Sequence, residues 1–292
     1  MLLMLAQSAD WIPPKAWLYA GFIALVCAFL ALDLGVFHRK AHAVKMREAL
    51  AWTLVWVVAA LAFNAFVYAA YQGHWLGIGL DVKQLDGTIR DVHGAEAVKL
   101  YLTGYIVEKS LAMDNVFVIA MIFSYFAVPA AYQHRVLFWG IIGALLMRGA
   151  MIGVGAALIQ QVSWIVYVFG GFLILTALKM ALVKSDGIHP EKNPVLRLVR
   201  RLYPVSSTYD GQRFFTRQNA VLTATPLLLA LVMVECTDLI FAVDSIPAIF
   251  AITTDPFLVF TSNIFAILGL RSLYFCLASL IDKFRFLKPA LI

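Results

Sequence analysis

Five carboxylates lie in this chain where water is scarce, and they come in two related segments. "VECTDLIFAVDSIP", residues 234–247, holds Glu235, Asp238 and Asp244 in a stretch with no other charged residue between Gln218 and Asp255. "VEKSLAMDNVFV", residues 107–118, holds Glu108 and Asp114 between apolar flanks. An ionised carboxylate buried alone is costly, so acids in such places pair, protonate or bind ions. With Asn115 and Ser245 beside them, the donors are all oxygen, the type preferred by hard divalent ions such as Mn2+, Ca2+ and Mg2+. The candidate metal ligands are therefore Glu108, Asp114, Asn115, Glu235, Asp238, Asp244 and Ser245, and the candidate charge-compensating residues are Lys109, Arg148 and Arg271. Structural pairing between these acids and cations, without transport, is the competing reading.

Spacing sets a geometric problem. Glu108 and Asp114 stand six residues apart, as do Asp238 and Asp244. On a regular helix that offset is about 120°, so neither pair aims at one point. Unwinding beside Asp114 and Asp244 would let them converge. Pro247 supplies a cause, because it has no N–H for the Val243 carbonyl and its ring crowds that turn, so a helix break is expected there. Asn115 and Ser245 follow Glu108 and Asp238 by seven residues, and Glu235 precedes Asp238 by one turn on nearly the same face.

Other chemistries find little support. His38, His42, His74, His93, His134 and His189 fall in loops or at span ends. That argues against an imidazole-built zinc or copper site and against a Glu-x-x-His di-iron centre. Cys236 reads as a packing residue before it reads as a soft ligand. Cys27 and Cys276 also lie in apolar blocks, so no disulfide framework is expected. With no nucleophile constellation, neither an enzyme nor a prosthetic group is expected.

The elements that carry these acids are membrane helices. Of the 292 residues, 62% are hydrophobic and 14% charged, where soluble domains are roughly half apolar and a quarter charged. Apolar blocks predict spans near 16–37, 50–71, 98–123, 136–159, 163–183, 219–253 and 257–281, each long enough for a hydrocarbon core of roughly 30 Å. Fifteen of the 23 basic residues fall on one side of these spans and four on the other. The positive-inside rule then puts the N-terminus outside and the loop 184–217 in the cytoplasm. The net charge of +6 is thus a matter of topology rather than of nucleic-acid binding. Within that loop, "NPVLRLVRRLYP" reads as a short basic amphipathic helix lying on the cytoplasmic surface of the bilayer.

The two acidic segments align as an internal repeat. With Glu108 set against Asp238, Asp114 meets Asp244, Asn115 meets Ser245, and "GIIGALLMR" ending at Arg148 meets "NIFAILGLR" ending at Arg271. The copies, 98–183 and 219–292, begin on spans three and six and so cross the membrane in opposite directions. The fold class expected is an all-α, polytopic transmembrane helical bundle, one domain over 1–292, with inverted-topology repeats and broken helices, a recurrent plan of secondary transporters. The second copy looks truncated, lacking a counterpart of residues 164–180.

Four stretches, "LDLGVFHRKAH", "LTGYIVEKSLAMDNVFV", "VECTDLIFAVDSIPAIFAITTDP" and "SNIFAILGLRSLYF", resemble the TerC family of tellurite-resistance and Alx-like membrane proteins. The resemblance runs from about residue 25 to the C-terminus. It implies a fold of inverted repeats and efflux of divalent metal, chiefly Mn2+, with the family's acidic residues falling on Glu108, Asp114, Glu235, Asp238 and Asp244. Mn2+ is then cargo rather than cofactor, carried outward through the plasma (inner) membrane. Proton exchange is the expected coupling, since the ligands themselves titrate. Counting all five acids against Lys109, Arg148 and Arg271 leaves two negative charges, which one divalent cation or two protons would cancel. An alternative is a membrane interaction protein that delivers metal to secreted proteins at a translocation channel. Tellurite, an oxyanion, would be repelled by such a site.

Overall fold

A computed structural model describes residues 13–37, 46–162, 164–182, 193–218 and 221–283. Its helices are α1 (Pro14–Phe37), α2 (Met46–Gln72), α3 (Gly94–Tyr125), α4 (Ala130–Gln161), α5 (Ile165–Leu182), α6 (Pro194–Leu202), α7 (Pro226–Phe250), α8 (Pro256–Leu268) and α9 (Leu270–Lys283). Two short antiparallel hairpins accompany them, β1 (Val82–Lys83) with β2 (Ile89–Arg90), and β3 (Phe215–Gln218) with β4 (Val221–Ala224). The chain is an all-α polytopic membrane protein. Among the described residues, five segments are long and apolar enough to cross a bilayer: Pro14–Leu32, Met46–Gln72, Ala130–Gln161, Pro226–Phe250 and Pro256–Ser279. The 32-residue α3 has the length but carries Glu96, Lys99, Glu108, Lys109 and Asp114, and the apolar part of α5 is short, Tyr167–Lys179.

The chain differs from the sequence expectation at the sixth block. Residues 221–224 are a strand paired with 215–218, and helix begins only at Pro226. The residue before a proline is driven to extended backbone. Thr225 accordingly has ψ of 162° and acts as N-cap, its hydroxyl donating to the Arg213 carbonyl at 2.7 Å. Pro226 then supplies a helix start whose missing N–H costs nothing.

The expected break at Pro247 is also absent. α7 runs through Asp244 and Pro247 to Phe250, and α3 runs unbroken through Asp114. Proline removes one hydrogen bond, but Ile246, Pro247, Ile249 and Phe250 are all buried and hold the turn. The interruption falls instead at Gly269, between α8 and α9. There the Lys109 ammonium donates to the Ala266 carbonyl at 3.2 Å, and Thr53 of α2 reaches Ser272, which in turn bonds the Gly269 carbonyl. A side chain at Gly269 would meet Lys109 Nζ at 2.5 Å.

Connections gather at two opposite ends. At one, Lys15, the 78–83 turn, the end of α4 and the start of α8 surround a polar cavity of about 350 Å³, and Thr254 bonds the Lys83 carbonyl. At the other, Tyr209 donates to the Phe126 carbonyl just past α3, and Tyr274 to Gln133. α3 therefore starts at the end where α7 finishes, and the two run antiparallel. Packing respects the repeat: α3 lies against α8 as α7 lies against α4, while α3–α7 and α4–α8 contacts close the set. α2 packs on α3 and α9, and α5 packs on α7.

In lipid the helices gain from close packing more than from expulsion of water. Glycines provide it: Gly104 faces Ser262, Gly155 faces Phe250, and Gly143 makes room for Glu235. One apolar cluster (Phe22, Phe63, Tyr71, Tyr101, Phe265) fills the end near the polar cavity, and a second (Ala112, Ile122, Leu137, Met233, Tyr274) fills the other. Between them lies a polar layer.

Candidate metal centre

That layer is built from seven-residue spacings. Two helical turns put Glu108 and Asn115 on one face of α3, and Asp238 and Ser245 on one face of α7; all four are buried. Arg148 of α4 enters between them with 1% of its surface exposed. Its Nε and Nη2 fork onto Asp238 at 3.2 and 2.9 Å, and its Nη1 donates to Glu108 and, at 3.4 Å, to Ser245. Asn115 Nδ2 donates to Asp238 Oδ1 at 3.3 Å. Planar, bidentate recognition of this kind is what guanidinium offers and ammonium does not. Two carboxylates thus share one guanidinium, a formal charge of −1 in a buried layer.

Several oxygens of the layer remain unused. Glu108 Oε2 and Asn115 Oδ1 are buried with no hydrogen-bond partner, and so is Glu235 Oε2, one turn from Asp238 and against Gly143. Buried acceptors left without donors are uncommon and call for a cause.

The remaining candidates do not join the cluster. Asp114 is exposed on α3, and Asp244 is half-buried within Coulombic reach of Lys179. Because both helices stay regular, the 120° offset stands and turns these two aspartates away. Lys109 serves the Ala266 carbonyl rather than a carboxylate, and Arg271 lines a small cavity with Glu48, Trp52 and Ser272. The expected eight-charge balance thus reduces to Glu108, Asp238 and Arg148. Among the described residues, no three His, Cys, Asp or Glu side chains converge tightly enough to enclose a metal.

Sequence reasoning passed over Asn263. It is 0% exposed in α8, and neither amide atom has a partner. The signal was available, since Asn263 aligns with Gly140 in the repeat and is a polar residue inside "NIFAILGLR".

Outside the spans, Asp255 caps α8 by accepting from the Phe257 and Leu258 amides at 2.9 and 3.3 Å. Burial pushes its carboxyl above the usual range, more than those amides pull it down. Asp86, in the β1–β2 turn, is held below that range by the Thr88 hydroxyl and amide.

Fold and site together define a multi-pass α-helical membrane protein with a buried, arginine-bridged carboxylate pair at its centre. A family profile described as "Integral membrane protein TerC family" matches residues 93–292, and the chain belongs to that family. It is 52% identical over 274 residues to an uncharacterized membrane protein of Myxococcus xanthus, covering 94% of this chain and 79% of the relative. It is 49% identical over 275 residues to the Escherichia coli (strain K12) protein named "Putative membrane-bound redox modulator Alx", covering 94% and 81%. A Rickettsia bellii membrane protein is 37% identical over 270 residues, covering 92% and 82%. No solved structure matches.

Proposed function

We propose that this protein is a carrier that exports divalent metal cations, Mn2+ first among them, in exchange for protons, and that it is not an enzyme. The observation that carries the reading is the Glu108–Arg148–Asp238 bridge, in which counterpart acids of two antiparallel segments share one guanidinium. Such a bridge is a poor device for stability, since a hydrophobic replacement of similar volume often serves as well. It is a good device for a carrier. When Arg148 releases, Glu108, Asp238, Asn115 and Ser245 present an oxygen set suited to a hard cation. When the cation leaves, arginine and protons restore the charge balance.

Glu235, one turn from Asp238 toward the start of α7, receives the ion before it reaches the pair. Asp114 and Asp244 act on the approach rather than in the centre. On this reading the N-terminus and the 72–94 connection face outside the plasma (inner) membrane, and 184–217 faces the cytoplasm. The relatives' name speaks of redox modulation. The three cysteines here, Cys27, Cys236 and Cys276, are unpaired, so an effect on redox state through metal content fits this chain better than dithiol chemistry. Expression in cells lacking their main manganese exporter tests the proposal. Intracellular manganese should fall, and Glu108→Gln should abolish the fall; no change on expression would refute export.

A further inference from the structure

Asn263 has no visible reason to be where it is. A buried amide with both atoms unpartnered forfeits its hydration and gains nothing in return, and in a bilayer no water is at hand to repair the loss. Asn263 is fully buried, so lipid headgroups do not reach it either.

Its position follows from the register of α8 against α4. Gly149 faces Phe260, and Ile141 and Ala144 pack with Ile267. One turn the other way, Val259 joins Ile152 and Ala156. The antiparallel register therefore sets Arg148 level with residues 260–263. Asn263 lies four residues after Val259 and four before Ile267, so it shares the α8 face that both turn toward α4. The orphaned amide and the buried arginine occupy the same layer from neighbouring helices. On α3, where Gly104 faces Ser262, Glu108 stands one turn further along, and its Oε2 is also unpartnered.

We propose that Asn263 is a ligand of the transported cation, adding an α8 oxygen to that of Glu108. This inference rests on the carrier reading above. An amide oxygen is a neutral, hard donor, so it raises coordination number without adding negative charge to a layer that already holds one uncompensated carboxylate. It also explains why both amide atoms lie idle: the oxygen awaits the ion, while Arg148, itself a cation, has no acceptor site to offer the NH2 group.

The test uses the purified full chain in detergent, with Mn2+ binding read from the paramagnetic resonance of unbound Mn2+, and melting measured without metal. Asn263→Leu keeps the branched four-atom skeleton and removes the oxygen. It should weaken Mn2+ binding by at least about tenfold, the weight of one contact to a charged group, without lowering the metal-free melting temperature. Asn263→Asp keeps an oxygen and should bind at least as tightly as the parent. Binding by Asn263→Leu equal to the parent's overturns the assignment and leaves the carrier reading intact. So does a lower metal-free melting temperature for Asn263→Leu, which makes Asn263 structural, or loss of binding in Asn263→Asp. A parent protein that binds no Mn2+ overturns both.

Discussion

Arg148 Nη2 lies 2.9 Å from Asp238 Oδ1, while Nη1 of the same guanidinium bonds Glu108, the residue that occupies Asp238's place in the other repeat. One side chain thus locks α3 to α7. Neither helix can shift along its axis without breaking a charge-assisted bond in a region that offers no replacement.

Removing the guanidinium leaves two carboxylates facing each other without a cation. Breaking a buried pair from one side costs about 3–5 kcal/mol, so Arg148→Gln should lower the melting temperature of the protein in detergent by a wide margin. Neutralising all three, with Glu108→Gln, Arg148→Met and Asp238→Asn, should recover most of that loss because no bare charge remains. A triple variant as unstable as Arg148→Gln would show that the cost lies in packing rather than in charge.

Asp255 offers a pH-dependent counterpart outside the spans. Its folded carboxyl titrates above the unfolded value because burial disfavours the charged form. The folded state therefore holds the proton more tightly. Its advantage is full below the unfolded pKa of about 3.9 and is lost as pH rises through the folded value. Asp255→Asn keeps an oxygen for the Phe257 and Leu258 amides without the charge. It should melt higher than the parent at neutral pH and show a flatter dependence above pH of about 4. Asp255→Ala, lacking the cap, should be less stable than Asp255→Asn by about 1 kcal/mol.

Orientation follows from charge and from the two ends of the bundle. Gly87 lies in the β1–β2 turn, at the end where Lys15 and the start of α8 meet. A reporter inserted at Gly87 should read outside, and one after Ser185 should read cytoplasmic. A cytoplasmic reading at Gly87 would reverse the direction of transport proposed here.

Helices were legible from long apolar blocks, and the central cluster from seven-residue spacing, because both depend only on local periodicity. Two things were not. Pro247 signals a break, yet whether proline breaks a helix depends on what packs around it, and buried Ile246, Ile249 and Phe250 hold this one. The interruption at Gly269 lies beside a tertiary partner, Lys109, that no local pattern announces. The same reasoning explains the aspartates. Asp114 and Asp244 were expected at the site only if their helices unwound, and regular helices turn them aside.

On the carrier reading, the placement of these aspartates assigns binding and movement to different residues. Glu108 and Asp238 are buried in the arginine-bridged layer, whereas Asp114 is exposed and Asp244 half-buried. Glu108→Gln and Asp238→Asn should abolish Mn2+ binding by the purified protein, each removing a charged oxygen from a layer where no substitute is near. Asp114→Asn and Asp244→Asn should keep Mn2+ affinity within about threefold of the parent, a difference of less than 1.4 kcal/mol, yet lower export from cells, because a positive ion entering hydrocarbon needs negative charge along its way. Coupling to protons can be read on the same samples. If carboxylates hold either metal or protons, binding should weaken as pH falls through their titration and should release protons, visible as a dependence of the calorimetric heat on buffer ionisation enthalpy. Metal binding with no proton release across that range would rule out shared-carboxylate exchange. Loss of binding in Asp114→Asn would instead move that aspartate into the centre, and with it demand the unwound α3 that the regular helix here lacks.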